Sequence, residues 1–140
     1  MAEQNNTPVL SVNSGVMLID VNDNGEVIGQ IRFNPADFDI LRRYEEAVEV
    51  MNSYTMPDNP TEKDLLEFSD KAKELTDQLL GYPVSDVLFG RTNPWTPNGK
   101  GELFFENVWE GIAALIESTM KQRVDKKLKK IKAATSKYHK

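Results

Sequence analysis

The 140-residue sequence contains no cysteine, which excludes a disulfide framework, a thiolate zinc site and a cysteine nucleophile. Its single histidine, His139, stands beside the C-terminus, so a Ser/His/Asp triad or a histidine-rich metal centre lacks the rigidly held imidazole it needs. No apolar run approaches the roughly 18 residues of a membrane span. The opening Met1-Ala2-Glu3-Gln4-Asn5-Asn6 is polar and acidic, where a signal peptide is basic and then apolar. These absences point to the cytoplasm. The 39% hydrophobic, 28% charged composition, with 8 Gly and 7 Pro, suits one small globular domain held by its apolar core.

The formal net charge of −5 hides two opposed regions. Residues 1–120 hold 8 Lys/Arg against 21 Asp/Glu, a balance of −13, whereas 121–140 hold 9 Lys/Arg against the single acid Asp125, a balance of +8. Local potential steers partners over a Debye length of about 8 Å, so this segregation carries more information than the total. It divides the chain into a flexible N-terminus (1–13), a globular domain (14–120) and a basic helical or disordered tail (121–140). A basic end on an acidic body suits a protein that binds something with that end, or one whose terminus is merely solubilised by lysine.

The short island Val9-Leu10-Ser11-Val12 reads equally as disordered chain or edge strand. From Val16 to Asn34, two β-rich runs flank Asn24-Gly25, the signature of a hairpin closed by a type I′ turn with positive φ at both central residues. Asp20, Asn22, Asn24 and Gly25 also match the start of an EF-hand loop. Position 12 is Ile31, so the bidentate carboxylate is missing, and the flanks are strand-like; a plain hairpin is the better reading.

Asn34-Pro35-Ala36-Asp37 predicts a helix start, with Asn34 as N-cap and Pro35 at the first helical position, running to about Tyr54. Phe38, Leu41, Tyr44, Val48 and Met51 form its apolar stripe. Thr61-Glu62-Lys63-Asp64 opens a second helix in the manner of a capping box, Leu65, Phe68, Ala72, Leu75 and Leu79 line its inner face, and Gly81 ends it. Residues 85–90 form a short helical turn closed by Gly90, followed by a Pro/Asn/Gly-rich loop to Gly101. Trp95 within this loop either tucks its indole onto the helices or meets a partner. From Glu102 to about Tyr138 only Gly111 interrupts a helical pattern. Val124, Leu128 and Ile131, at i, i+4 and i+7, are the only apolar stripe of the lysine-rich half, too narrow to hold a helix alone. The fold expected is α+β, mainly α: an N-terminal β-hairpin, then three to four helices, the last long with a basic C-terminal extension.

Catalysis needs convergent polar groups in an apolar pocket, and acids such as Glu45, Glu46 and Glu49 fall on faces that the periodicity marks as exposed. No Glu-x-x-His pair, Gly-rich phosphate loop or nucleophile elbow accompanies them, so no catalytic residue, cofactor or metal is expected. The basic tail can contact phosphates, but Arg123 is its only arginine and the acidic body repels nucleic acid.

The segment Gly81-Tyr82-Pro83-Val84-Ser85-Asp86-Val87-Leu88-Phe89-Gly90, the loop after it, Phe104-Phe105-Glu106-Asn107-Val108-Trp109 and the basic end together resemble the small tail assembly chaperones of long-tailed phages and of related prophages of Gram-positive bacteria. The most specific element is Asp86-Val87-Leu88-Phe89-Gly90. Leu80-Gly81 stands where that family would carry a first Phe-Gly, and the proline-rich loop at 93–99 is longer. The resemblance implies a mostly helical, non-catalytic homo-oligomer of the host cytoplasm that coats the long helical tape-measure protein and brings tail-tube subunits to it. A holder of this kind needs an amphipathic groove and a mobile arm; Leu88, Phe89 and Trp95 are the expected groove residues, with Lys126, Lys127, Lys129 and Lys130 as the arm. The competing expectation is a small adaptor or nucleic-acid-associated protein that uses the basic helix as a tether.

Overall fold

In the computed structural model the described backbone covers residues 6–136, and side chains are described over that span apart from residue 128 and residues 130–136. The architecture is α+β and mainly α: a two-stranded antiparallel hairpin, β1 (Met17–Asp23) and β2 (Glu26–Phe33), followed by α1 (Asp39–Asn52), α2 (Glu62–Leu80), the single turn α3 (Ser85–Leu88) and the long α4 (Phe104–Ser136).

The hairpin turns as its sequence dictates, with positive φ at Asn24 (50°) and Gly25 (85°). Beyond the turn the register slips at Ile28: Val21 faces Gly29 while Asn22 faces Val27, a bulge that adds twist. Gly29 lies close to α3, where a Cβ would stand 2.9 Å from Val87 Cγ1. Inward-facing Ile31 and Phe33 of β2 enter the core, and Phe33 is fully buried. Asp20, the first residue of the EF-like pattern, accepts a hydrogen bond of 2.8 Å from Gln30 Nε2 across the strands.

The first helix begins later than Asn34 predicts. Asn34 closes a turn instead, its Oδ1 accepting from Ala36 N–H and its carbonyl from Asp37 N–H, and regular helix starts only at Asp39. The side chain of Asn34 is committed elsewhere: Nδ2 donates to Ser14 O at 2.6 Å, and Oδ1 accepts from Arg123 at 2.7 Å. The expected stripe is covered only over its later turns. Phe38 and Leu41 are 69% and 52% exposed, while Ile40 and Ala47 take the buried positions; Tyr44, Val48 and Met51 remain against the core.

The second helix follows its sequence closely. Thr61 accepts from Asp64 N–H, Asp64 Oδ2 accepts from Thr61 N–H, and Gly81 ends the helix at φ 76°. Arg43 of α1 donates from Nε to Leu79 O at 2.9 Å, satisfying a carbonyl in the last turn of α2. Asp77 performs the matching service for α3: Oδ1 accepts from the N–H groups of Val84 and Ser85, and Oδ2 from Ser85 Oγ.

The core is the seam where α1, α2 and β2 meet the first half of α4. Trp109 is 5% exposed, donates from Nε1 to Thr76 Oγ1 at 2.9 Å and lies edge-on to Phe105; Thr76 passes its own hydroxyl proton to Ala72 O. Val9, Leu10 and Val12 are 84%, 87% and 79% exposed and belong to neither strand. Among the described residues no helix is long and apolar enough to cross a membrane.

Candidate docking groove

Helix α4 spans 33 residues, about 50 Å at 1.5 Å per residue. Trp109, Ile112, Ile116 and Thr119 bury its first half. Arg123 ties the helix to the body, its guanidinium donating to Asn34 Oδ1 and, at 2.8 Å, to Gly15 O, and Asp125, Lys126 and Lys129 after it line a cleft of about 520 Å³ with Met17 of β1. Val124 is 43% exposed.

Where α4 passes α1, the two helices leave an open apolar groove of about 500 Å³. Ile40, Leu41 and Tyr44 form one wall; Ala113, Ile116 and Met120 form the other. The only charged groups on it are Glu45 and Glu117, one on each wall and both exposed. Leu41 extends the apolar surface outwards. The groove exists because Leu41, at the start of the stripe, is left 52% exposed. It lies between two helices, lined by apolar side chains with an exposed acid on each wall, which suits a helix with an apolar stripe flanked by basic residues.

The sequence-expected groove lies elsewhere and is mostly filled. Phe89 is 2% exposed and lies edge-on to Phe104 at 5.8 Å, so its ring is core and not partner surface. Gly90 permits this inward fold, because a Cβ there would collide with Asp86 O. Leu88, 7% exposed, is at the bottom of a smaller cleft of about 280 Å³ between the hairpin and α4. Trp95 lays its indole edge-on against Phe68 at 4.7 Å, the tucked one of its two readings. The loop is pinned there by Phe104 N–H on Thr96 O and Phe105 N–H on Pro94 O. Lys126, Lys127 and Lys129 are exposed on α4 past Arg123, and the Lys130 side chain lies outside the described residues, as do residues 1–5 and 137–140.

Sequence reading passed over Leu41, Ala113, Ile116 and Met120 as groove residues because a helical stripe predicts burial, not which part of the stripe stays uncovered. The acids at the N-terminal end of α4 form a separate cluster, where Glu110 is held above its ordinary pKa chiefly by the hydrogen bond its protonated carboxyl donates to Glu102, then by the negative charge of Glu102, with smaller contributions from desolvation and Glu106. Among the described residues no group of three His, Asp or Glu side chains is placed to hold a metal ion. Comparison with family models, with curated proteins and with solved structures finds no match.

Proposed function

We propose that this chain is a non-catalytic assembly chaperone that holds an amphipathic client helix in the groove between α1 and α4. The observation that carries the reading is the groove itself: an open apolar concavity walled by Leu41, which is 52% exposed, by partly buried Ala113 and Met120 and by buried Ile116, and edged by Glu45 and Glu117 on a body, residues 1–120, of balance −13. An isolated monomer gains nothing from leaving such a surface in water, where burying each apolar Å² is worth about 25 cal/mol. The resemblance to phage tail assembly chaperones supplies the client class, a long helical tape-measure protein, with tail-tube subunits as second partners. Leu88, Phe89 and Trp95 then act by shaping the body, and the lysines of α4 act as the arm.

The test is a pull-down from the producing culture with the tagged full-length chain beside Leu41→Glu. Leu41 is more than half exposed, so the substitution leaves the core intact while placing a charge in the apolar wall. Capture of a very long helical protein by the wild type, lost in Leu41→Glu, supports the reading; equal capture by both overturns it. A second reading, the nucleic-acid tether, is favoured by Lys126, Lys127 and Lys129 all standing exposed on one projecting helix. It requires that the bound material be nucleic acid, released log-linearly by salt and indifferent to Leu41→Glu.

A further inference from the structure

The groove and the projecting half of α4 have complementary chemistry. The groove is apolar with an acidic edge; the projection carries an apolar row, Val124, Leu128 and Ile131, among lysines. A continuous helix cannot fold back on its own groove, so the projection of one copy can reach only the groove of another. The spacings along α4 are also reciprocal. Ala113, Ile116 and Met120 follow one another at three and four residues, and Val124, Leu128 and Ile131 at four and three, the same intervals in reverse.

We infer that two copies of this chain pair through antiparallel α4 helices about a two-fold axis near Gln122, each seating its basic projection in the other's α1/α4 groove. With that axis, Val124 of one copy faces Met120 of the other, and helix positions 128 and 131 come level with positions 116 and 113 of the partner. The same register sets Lys127 opposite Glu117, the acid on the α4 wall of the groove, while Glu45 on α1 adds a second negative edge to the basic helix. The contact is isologous, so every pair occurs twice and the assembly closes at two copies without an open end. Arg123 stays out of the pairing because its guanidinium is bound to Asn34 and Gly15. Charge complementarity chooses this occupant: a second acidic body would be repelled by the groove edge, whereas the 121–140 segment, balance +8, is attracted to it.

The inference rests on the groove being a helix seat, as in the proposed function, and it gives that seat a first occupant. A client helix must displace the partner copy's projection, so client capture and self-association compete.

The test uses full-length protein and sedimentation equilibrium over micromolar to several hundred micromolar concentrations. Both Glu117 and Lys127 are exposed, so reversing either leaves the monomer fold alone. Glu117→Lys and Lys127→Glu should each weaken dimerisation by about tenfold or more, since both symmetric pairs turn from attractive to repulsive. The double variant, with both charges exchanged, should restore it. In a chain with no cysteine of its own, a mixture of Met120→Cys and Val124→Cys should form the mixed disulfide in preference to either homodimer. A wild type that stays monomeric throughout, a dimer indifferent to both reversals, or Val124→Cys crosslinking chiefly to itself would each overturn the inference. Val124→Glu separates the two readings, because Val124 is exposed and belongs neither to the groove nor to the lysine arm: a monomeric variant that still captures the client keeps both. Client capture by a wild type that never dimerises sinks only the pairing, and a dimer that captures no client sinks only the chaperone.

Discussion

The two halves of α4 share one unbroken backbone and almost nothing else. Residues 104–120 bury Trp109, Ile112 and Ile116 and carry acids; residues 121–136 carry a single acid, Asp125, among lysines, and past Arg123 no described side chain is buried. The first half is helical because its apolar face is covered. The second continues the helix from a formed end, so it avoids the nucleation penalty that makes short isolated helices marginal. The contrast teaches that secondary structure and packing can part company within one element, and that a helix running past its own core advertises a need for further cover.

Four outcomes test this contrast, beginning with the largest. Trp109→Ala should cost about 3–5 kcal/mol in urea unfolding, from the lost indole and the vacated partner of Thr76. At concentrations where the chain is monomeric, Val124→Ala on the same helix should change stability by less than about 0.5 kcal/mol. A comparable loss at both positions would mean that the projection is packed in the monomer. Phe89→Ala should cost about 3 kcal/mol as a core truncation, and half-buried Trp95→Ala about 1–2 kcal/mol, both read from the same unfolding curves. If Phe89→Ala proved neutral to stability and abolished client capture, the ring would be a partner contact after all.

Smaller effects concern the ends of the helices. Thr61→Ala should cost about 1 kcal/mol by removing the cap of α2. The backbone and side-chain hydrogen bonds of Thr61 hold the Asp64 carboxyl below its ordinary pKa. Its contribution is therefore present above the usual aspartate range and lost as pH falls through the lowered value, and Thr61→Ala should flatten that acid limb. Glu110 has the opposite sign: its raised pKa favours folding while it is protonated, an advantage lost as pH rises through the raised value. Glu110→Gln should therefore stabilise at pH 7 and be neutral well below pH 4, in thermal melts at the two pH values.

Much of the fold was legible because local chemistry acts alone in those places. Asn24-Gly25 could only turn one way, the Thr61/Asp64 box and Gly81 bracketed α2, and residues 85–90 announced a closed helical turn. Asn34 misled because its cap chemistry was real but spent on a turn and on Arg123, 89 residues away, a partner that no local pattern discloses. Asp77 and Arg43 were silent for the same reason, since each serves a helix end belonging to another element. Of the candidate site, the exposed lysines past Arg123 were readable as a charge run. The groove was not, because a helical stripe does not disclose which of its residues the neighbouring elements leave uncovered, and Leu41 is one of these.

The Arg123 clamp has a kinetic side. It joins α4 to Asn34 and to Gly15 over sequence separations of 89 and 108, whereas the hairpin and the α1/α2 pair form from near neighbours. Contacts of such long reach are entropically the slowest to close, so the clamp should snap shut after the folding barrier has been crossed. Arg123→Met should then accelerate unfolding and leave the refolding limb of the chevron where it was. A protein arranged in this way fastens its first structured residues to its last packed ones as the final act of folding, and the same fastening is the first to give way.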